Sequence, residues 1–131
     1  MLSGCLASAN KANVKRAESL QNLHAIQLAI ERYYFDSKTY PADLSVLQSE
    51  AYLPRLPGNP YNGAPMEQIP AGQHQPGCFS YLTDGKSYAL VLYGPKGSRS
   101  FASKHALPGG AEATIDWDYV VIVLESQVQP N

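Results

Sequence analysis

Residues 20–41 read LQNLHAIQLAIERYYFDSKTYP, and their apolar pattern is the main indication of the fold class. Large apolar side chains recur in this stretch at steps of three and four residues: Leu20, Leu23, Ile26, Ile30, Tyr33 and Tyr34. This spacing is typical of a helix that buries one face against a core. The stretch therefore predicts a helix whose apolar residues hold the rest of the domain.

The same helix extends towards the N-terminus, because the strongest helix breakers are missing there. Residues 5–57 contain no glycine and residues 1–40 contain no proline. We expect one helix over residues 9–35, about 40 Å long at ~1.5 Å per residue. A compact chain of 131 residues is only ~36 Å across. The predicted helix is therefore as long as the body.

The two halves of this helix differ in what they can bury. Residues 20–35 carry large apolar side chains, whereas residues 8–19 carry mainly alanine and Val14 among basic residues. Alanine buries little area, so the first half cannot fill a core alone. We expect it to project beyond the body or to pack on something outside this chain. The alternative is a solvated, frayed terminus.

Length and composition restrict the class of protein. The 131 residues suffice for one domain, over residues 1–131. Hydrophobic residues make up 44%, enough for a packed interior, and the formal net charge is −1. That charge argues against a dedicated nucleic-acid-binding protein, which attracts phosphates with a positive field. No apolar run approaches the ~20 residues of a membrane-spanning helix, so we expect this chain to be soluble.

The middle of the chain predicts a loop followed by a β-hairpin. Residues 39–77 hold seven of the ten prolines and are expected to be irregular, apart from a short helix over residues 42–48. Asp-Gly at residues 84–85 is typical of a two-residue type I′ turn. It would pair Thr83 with Lys86 and Tyr81 with Tyr88. One face of the hairpin would then cover the helix: Phe79, Tyr81, Tyr88, Leu90 and Leu92.

A third strand is predicted over residues 114–125, where apolar residues alternate with Asp116 and Asp118. Its end is apolar on both faces, as in a well-covered strand. Trp117 joins the helix residues as an expected core residue. The predicted fold class is α+β: one long N-terminal helix packed on an antiparallel sheet of three or more strands, with the sheet in residues 78–126.

The end of the helix resembles a known family. Residues 33–41 read Tyr-Tyr-Phe-Asp-Ser-Lys-Thr-Tyr-Pro, and the loop phrases Tyr52-Leu53-Pro54 and Gly58-Asn59-Pro60-Tyr61 follow. This order resembles the type IV pilin-like family, the type IV pilins and the pseudopilins of type II secretion. In that family a long helix, a loop and an antiparallel sheet follow one another. The resemblance covers about residues 9–61 by sequence and the rest by architecture.

The resemblance implies a structural subunit of an extracellular, cell-surface type IV pilus-like filament that assembles through its N-terminal helix. Members begin with a leader and an apolar helical half, which this sequence lacks. We therefore expect the head of a longer protein, held in the inner membrane by a missing N-terminal segment before assembly. The implied partners are copies of itself in a helical filament and other pilin-like subunits. The expected contact residues are Leu2, Leu6, Ala9 and Val14.

Two alternatives stay open within the same resemblance. One is a pseudopilin of type II secretion, which works as a short periplasmic rod. The other is a minor pilin that binds DNA or a surface.

No catalytic motif is present, so we expect neither an enzyme nor a cofactor. His24, His74 and His105 are scattered, and the chain lacks His-Glu-x-x-His, Cys-x-x-Cys and Gly-x-Ser-x-Gly. Residues 94–100 resemble a phosphate-binding loop only superficially, because the Gly-Lys-Ser/Thr step is missing.

Two groups of charged residues are candidate binding sites. Lys96, Arg99 and Lys104 form a basic stretch that could attract DNA or another anion. A solvated loop is the simpler explanation, because a few cations on a loop give little more than a salt-sensitive attraction. Calcium would need convergent oxygen ligands, and the candidates are Asp116, Asp118, Asp84 and Glu112. No short loop brings these together in sequence, so we do not expect calcium as a partner. The near-zero net charge and the solvated-loop explanation likewise argue against DNA.

The two cysteines, Cys5 and Cys78, lie far apart in sequence. A disulfide requires Cα atoms within about 7 Å of each other. If the early helix projects, the two stay apart, and the pairing is left open.

Overall fold

The computed structural model describes residues 3–98 and 103–126, with side chains described from Lys11 onward. Within these ranges the helices are α1 (Ser3–Ser37) and α2 (Ser45–Ser49). The strands are β1 (Phe79–Thr83), β2 (Tyr88–Tyr93) and β3 (Val120–Glu125), in the antiparallel order β1-β2-β3. Short 3-10 segments span Pro108–Ala113, which is kinked at the left-handed Gly109 and Gly110, and Trp117–Tyr119. The predicted α+β class is confirmed: α1 packs on the three-stranded sheet.

The long helix exceeds the predicted range of residues 9–35 at both ends and is about 52 Å long. It ends where Lys38 adopts a left-handed φ of 65°. The N–H of Lys38 donates to the carbonyl of Tyr34 at 2.7 Å, and its ammonium donates to the carbonyl of Phe35 at 3.1 Å. A left-handed residue that satisfies the last carbonyls is a common way to end a helix.

The main core lies between α1 and one face of the sheet. The helix contributes the fully buried residues Leu23, Ile26 and Ile30, with Leu20, Tyr33 and Tyr34 half-buried beside them. The sheet contributes Phe79, Tyr81, Tyr88, Leu90 and Leu92. These are the faces that the sequence patterns predict, because a helix stripe and alternate strand residues each point to one side.

The predicted register of the hairpin is wrong by two residues. Thr83 pairs with Tyr88 instead of Lys86, because the loop has four residues where two were predicted. The carboxylate of Asp84 accepts hydrogen bonds from the backbone N–H groups of Lys86 and Ser87 at 2.9 and 2.8 Å and closes the longer loop. A shift of two residues leaves each side chain on its predicted face, since the side chains alternate with a period of two.

The predicted third strand over residues 114–125 is also too long. The strand β3 begins only at Val120, and a 3-10 turn precedes it. In that turn, Asp116 Oδ1 accepts the backbone N–H of Asp118 at 3.2 Å, and the carbonyl of Asp116 accepts the N–H of Tyr119. An aspartate that binds its own neighbouring backbone competes with strand pairing.

The opposite face of the sheet carries a second core. The residues buried there are Ile69, Cys78, Ala89, Val91, Tyr93, Leu107, Ile115, Trp117 and Val120. Trp117 is buried as expected but lies in this cluster, away from the helix, and its Nε1–H donates to the carbonyl of Glu112 at 3.0 Å. Loop segments therefore cover the face that α1 leaves open.

A bulge lets β3 serve both cores. Leu92 pairs with Ile122, whereas its neighbour Tyr93 pairs with Val120, so Val121 is an additional residue on β3. Val121 packs in the helix-side core and Val120 in the second core.

Among the described residues, no helix combines the length and the apolar character needed to cross a bilayer.

Candidate functional site

A row of exposed apolar residues follows the outer side of α1. Val14, Leu28 and Phe35 are 62%, 53% and 74% exposed, respectively. They lie at multiples of seven residues, with exposed Gln21 at the remaining position of the series. We call Val14, Gln21, Leu28 and Phe35 the outer stripe. A spacing of seven keeps side chains on nearly the same side of a helix, drifting by only ~20° per heptad.

The outer stripe points away from the sheet. Leu28 lies two residues from both Ile26 and Ile30, which are fully buried. Two residues correspond to about 200° of rotation on an α-helix, so Leu28 faces about 160° away from each of them. The helix therefore carries large apolar side chains on two opposite sides, of which the described residues cover one.

A groove runs beside the first half of α1, between the helix and β3. It has a volume of about 400 Å³. Its lining consists of Asn13, Arg16, Ala17, Leu20, Val121 and Ile122. Leu20 and Ile122 are half-buried side chains at the edge of the main core. The groove therefore exposes apolar surface next to the outer stripe.

Among the described side chains, from Lys11 onward, the hydrogen bonds that hold α1 to the body begin at Arg16. Side chains 11–15 are exposed. From Arg16 onward the helix is tied down: Arg16 Nη2 donates to the carbonyl of Ser98 at 2.9 Å, and Asn22 Nδ2 donates to the carbonyl of Gly58 at 2.8 Å. The exposure of residues 11–15 agrees with the prediction that the first half of the helix buries little.

Of the four predicted contact residues, the structure describes the side chain of Val14. Val14 is exposed and belongs to the outer stripe. Leu2 lies outside the described residues, and so do the side chains of Leu6 and Ala9. Sequence reasoning missed Leu28 and Phe35 as surface residues, because they fall within an apolar segment. Their seven-residue spacing from Val14 is the signal that could have separated them from the core series.

The predicted basic stretch is described only at its ends. Lys96 and Lys104 are exposed on loops, and Arg99 lies outside the described residues. A shared anion site for Lys96, Arg99 and Lys104 therefore stays a prediction.

Asp84 and Glu112, two of the four candidate calcium ligands, already accept hydrogen bonds from nearby backbone N–H groups. Bonds from the N–H groups of Ser87 and Lys86 hold the pKa of the Asp84 carboxyl below its usual value. The N–H of Leu107 donates to Glu112 Oε1 at 2.8 Å and lowers the pKa of Glu112 in the same way. Within residues 3–98 and 103–126, no three His, Cys, Asp or Glu side chains are grouped as metal ligands would be.

Cys78 is a buried, free thiol in the second core. Burial raises its pKa, which disfavours the reactive thiolate. Its Sγ lies 4.0 Å from Asn59 Nδ2 and 3.8 Å from Gln75 Oε1. The side chain of its predicted alternative partner, Cys5, lies outside the described residues.

Comparisons of the chain with family models, with curated proteins and with solved structures find no match. The pilin-like resemblance therefore depends on the residues quoted for it. The outer stripe and the α1–β3 groove are the candidate functional surface.

Proposed function

We propose that this protein is a structural subunit of a type IV pilus-like filament and that it assembles through α1. The observation that carries the proposal is the outer stripe, an apolar row with a seven-residue period on the side of α1 opposite the sheet. Side chains seven residues apart lie on nearly the same side of a helix, where a second helix could contact Val14, Leu28 and Phe35 together. The resemblance of residues 33–41 to the pilin helix end supports a neighbouring subunit as the source of that second helix.

The size of the stripe indicates repeated weak contacts. A stable two-protein interface buries roughly 800 Å² on each partner. The outer stripe offers three large apolar side chains, which supply only part of such an area. A single pair of subunits would therefore associate weakly, and many copies in a helical array would add further contacts to each subunit. The α1–β3 groove lies beside the stripe and gives a neighbour a second apolar surface to contact.

The proposal is tested by weak self-association in solution. We expect the NMR signals of Val14, Leu28 and Phe35 to shift with protein concentration, with an apparent Kd near 1 mM, equivalent to about −4 kcal/mol. Leu28→Asp should abolish these shifts because it places a charge in the seam, while circular dichroism shows an intact fold. Gln73→Asp adds the same charge at an exposed position away from the stripe and should leave them unchanged.

Signals of the stripe that do not depend on concentration up to about 1 mM would contradict the proposal. The same would hold if Gln73→Asp weakened association as much as Leu28→Asp. A pilus subunit and a secretion pseudopilin share this assembly surface and differ in the rod that forms. The pilus assignment predicts long extracellular filaments in electron micrographs of cells that produce the protein, and the pseudopilin assignment predicts short periplasmic rods.

A further inference from the structure

His105 links two parts of the chain that are distant in sequence. It belongs to residues 103–107, which lead into the second core at the buried Leu107. Its Nδ1 lies 2.7 Å from the carbonyl oxygen of Ser103, and its Nε2 lies 2.5 Å from Glu125 Oε1, in the last residue of β3. The imidazole ring is 5.7 Å from the ring of Trp117, between centroids.

The partners of His105 determine which form of the ring fits. A backbone carbonyl and an ionised carboxylate both accept hydrogen bonds, and neither can donate one. Neutral imidazole carries a single N–H and can satisfy only one of them, whereas imidazolium donates from both nitrogens. The arrangement around His105 is therefore complete only when the ring is protonated.

We propose that His105 is a pH-sensitive strap, which fastens residues 103–107 to the end of β3 when protonated and releases them as the pH rises. Glu125 is the charged group that faces the ring from β3, and Glu112 is the one from the Pro108–Ala113 helix. Lys104 precedes the ring on its own segment and interacts with Glu112. This proposal concerns the second core and does not depend on filament assembly.

The electrostatic surroundings favour the protonated form. The bond to the Ser103 carbonyl raises the pKa of His105 above its ordinary 6.5, and the carboxylates of Glu125 and Glu112 raise it further against an opposing effect of burial. Because the folded pKa lies above the unfolded one, the strap contributes fully to stability below pH 6.5. That contribution is lost as the pH rises through the folded pKa.

The strap is tested by NMR titration of the His105 ring in the whole chain, combined with amide hydrogen exchange of residues 103–107 at pH 5.5 and 8.5, corrected for intrinsic exchange rates. We expect a pKa above 6.5 and lower protection of these amides at the higher pH. Each unit by which the pKa exceeds 6.5 corresponds to about a tenfold change in the equilibrium between fastened and released forms.

Two variants and a control separate the strap from general stability. Glu125→Gln should lower the His105 pKa and reduce the pH dependence of protection, and His105→Gln should remove that dependence. Glu18→Gln makes the same chemical change on an exposed position of α1 and should alter neither. A His105 pKa at or below 6.5, or equal protection of residues 103–107 at both pH values, would overturn the proposal.

Discussion

At the scale of single residues, Asn59 organises the long loop between α2 and β1. Its side chain is buried and makes three hydrogen bonds: Nδ2 donates to the carbonyl of Pro76 at 3.0 Å and to Cys78 Sγ at 4.0 Å, and Oδ1 accepts the N–H of Tyr61 at 2.9 Å. Gly77 lies directly against it. Leaving a buried amide without hydrogen-bond partners costs more free energy than a typical hydrogen bond contributes to stability. The stability of the fold is therefore sensitive to the fit between Gly77 and Asn59.

Gly77→Ala is expected to destabilise the protein by about 2–4 kcal/mol. Gly77 has a φ of 79°, and an added Cβ would lie 2.0 Å from Asn59 Oδ1, so the substitution both strains the backbone and displaces a bonded side chain. Gly97 is the matched control, with a φ of 87° and open space around its Cβ position. Gly97→Ala should cost only about 1–2 kcal/mol of strain. Urea unfolding measures both, and equal losses would contradict the role of Asn59.

At the scale of elements, α1 carries two apolar faces with different consequences. The face containing Ile26 is fully buried against the sheet, and the face containing Leu28 is more than half exposed. Both residues are large and apolar, so composition alone does not distinguish them. Their angular positions on the helix do, because the sheet covers only one side of it.

Ile26→Asp and Leu28→Asp should therefore differ sharply in their effects. Ile26→Asp buries an unpaired carboxylate and is expected to lower the free energy of unfolding by about 4 kcal/mol or more. Leu28→Asp changes an exposed position and should stay within about 0.5 kcal/mol of the parent protein. Thermal and denaturant melts of the two variants give the comparison. A stable Ile26→Asp variant would refute the packing of α1 on the sheet.

At the scale of the whole molecule, tyrosine hydroxyls tie the sheet to the helix and the loop. The hydroxyl of Tyr88 on β2 donates to Glu31 Oε1 on α1 at 2.7 Å. The hydroxyl of Tyr81 on β1 donates to the carbonyl of Pro41 at 2.7 Å. Burial raises the pKa of both phenols, and that of Tyr81 reaches about 12. The fold therefore requires these tyrosines to stay protonated.

Stability should consequently fall in alkaline solution. Tyr81 ionises near pH 10 in the unfolded chain and near pH 12 in the folded one, so the unfolded state loses protons first and gains stability between these values. Guanidinium unfolding at a series of pH values from 8 upward measures the loss. Tyr81→Phe should cost about 1 kcal/mol at neutral pH and show a shallower alkaline decline. An equally steep decline in Tyr81→Phe would exclude Tyr81 as a cause.

One can predict from the sequence alone that α1 and the hairpin form and which faces they bury. These features follow from local periodicity: residues such as Ile26 and Ile30 on the helix, or Phe79 and Tyr81 on β1, repeat at the spacing of their own element. A few neighbouring residues are enough to establish such a repeat, so it can be recognised without knowing what the element packs against.

The hairpin register and the start of β3 follow local side-chain bonds of Asp84 and Asp116, which periodicity does not reveal. The second core and the exposure of the outer stripe became visible only in the tertiary structure. Each depends on contacts between residues far apart in the chain, such as His105 with Glu125 or Trp117 with Tyr93 in one cluster. Of the candidate surface, Val14 was predicted, whereas Leu28 has the same chemistry as the core leucines. The physical reason is that burial is a property of the partner surface, and no residue carries that information in its own side chain.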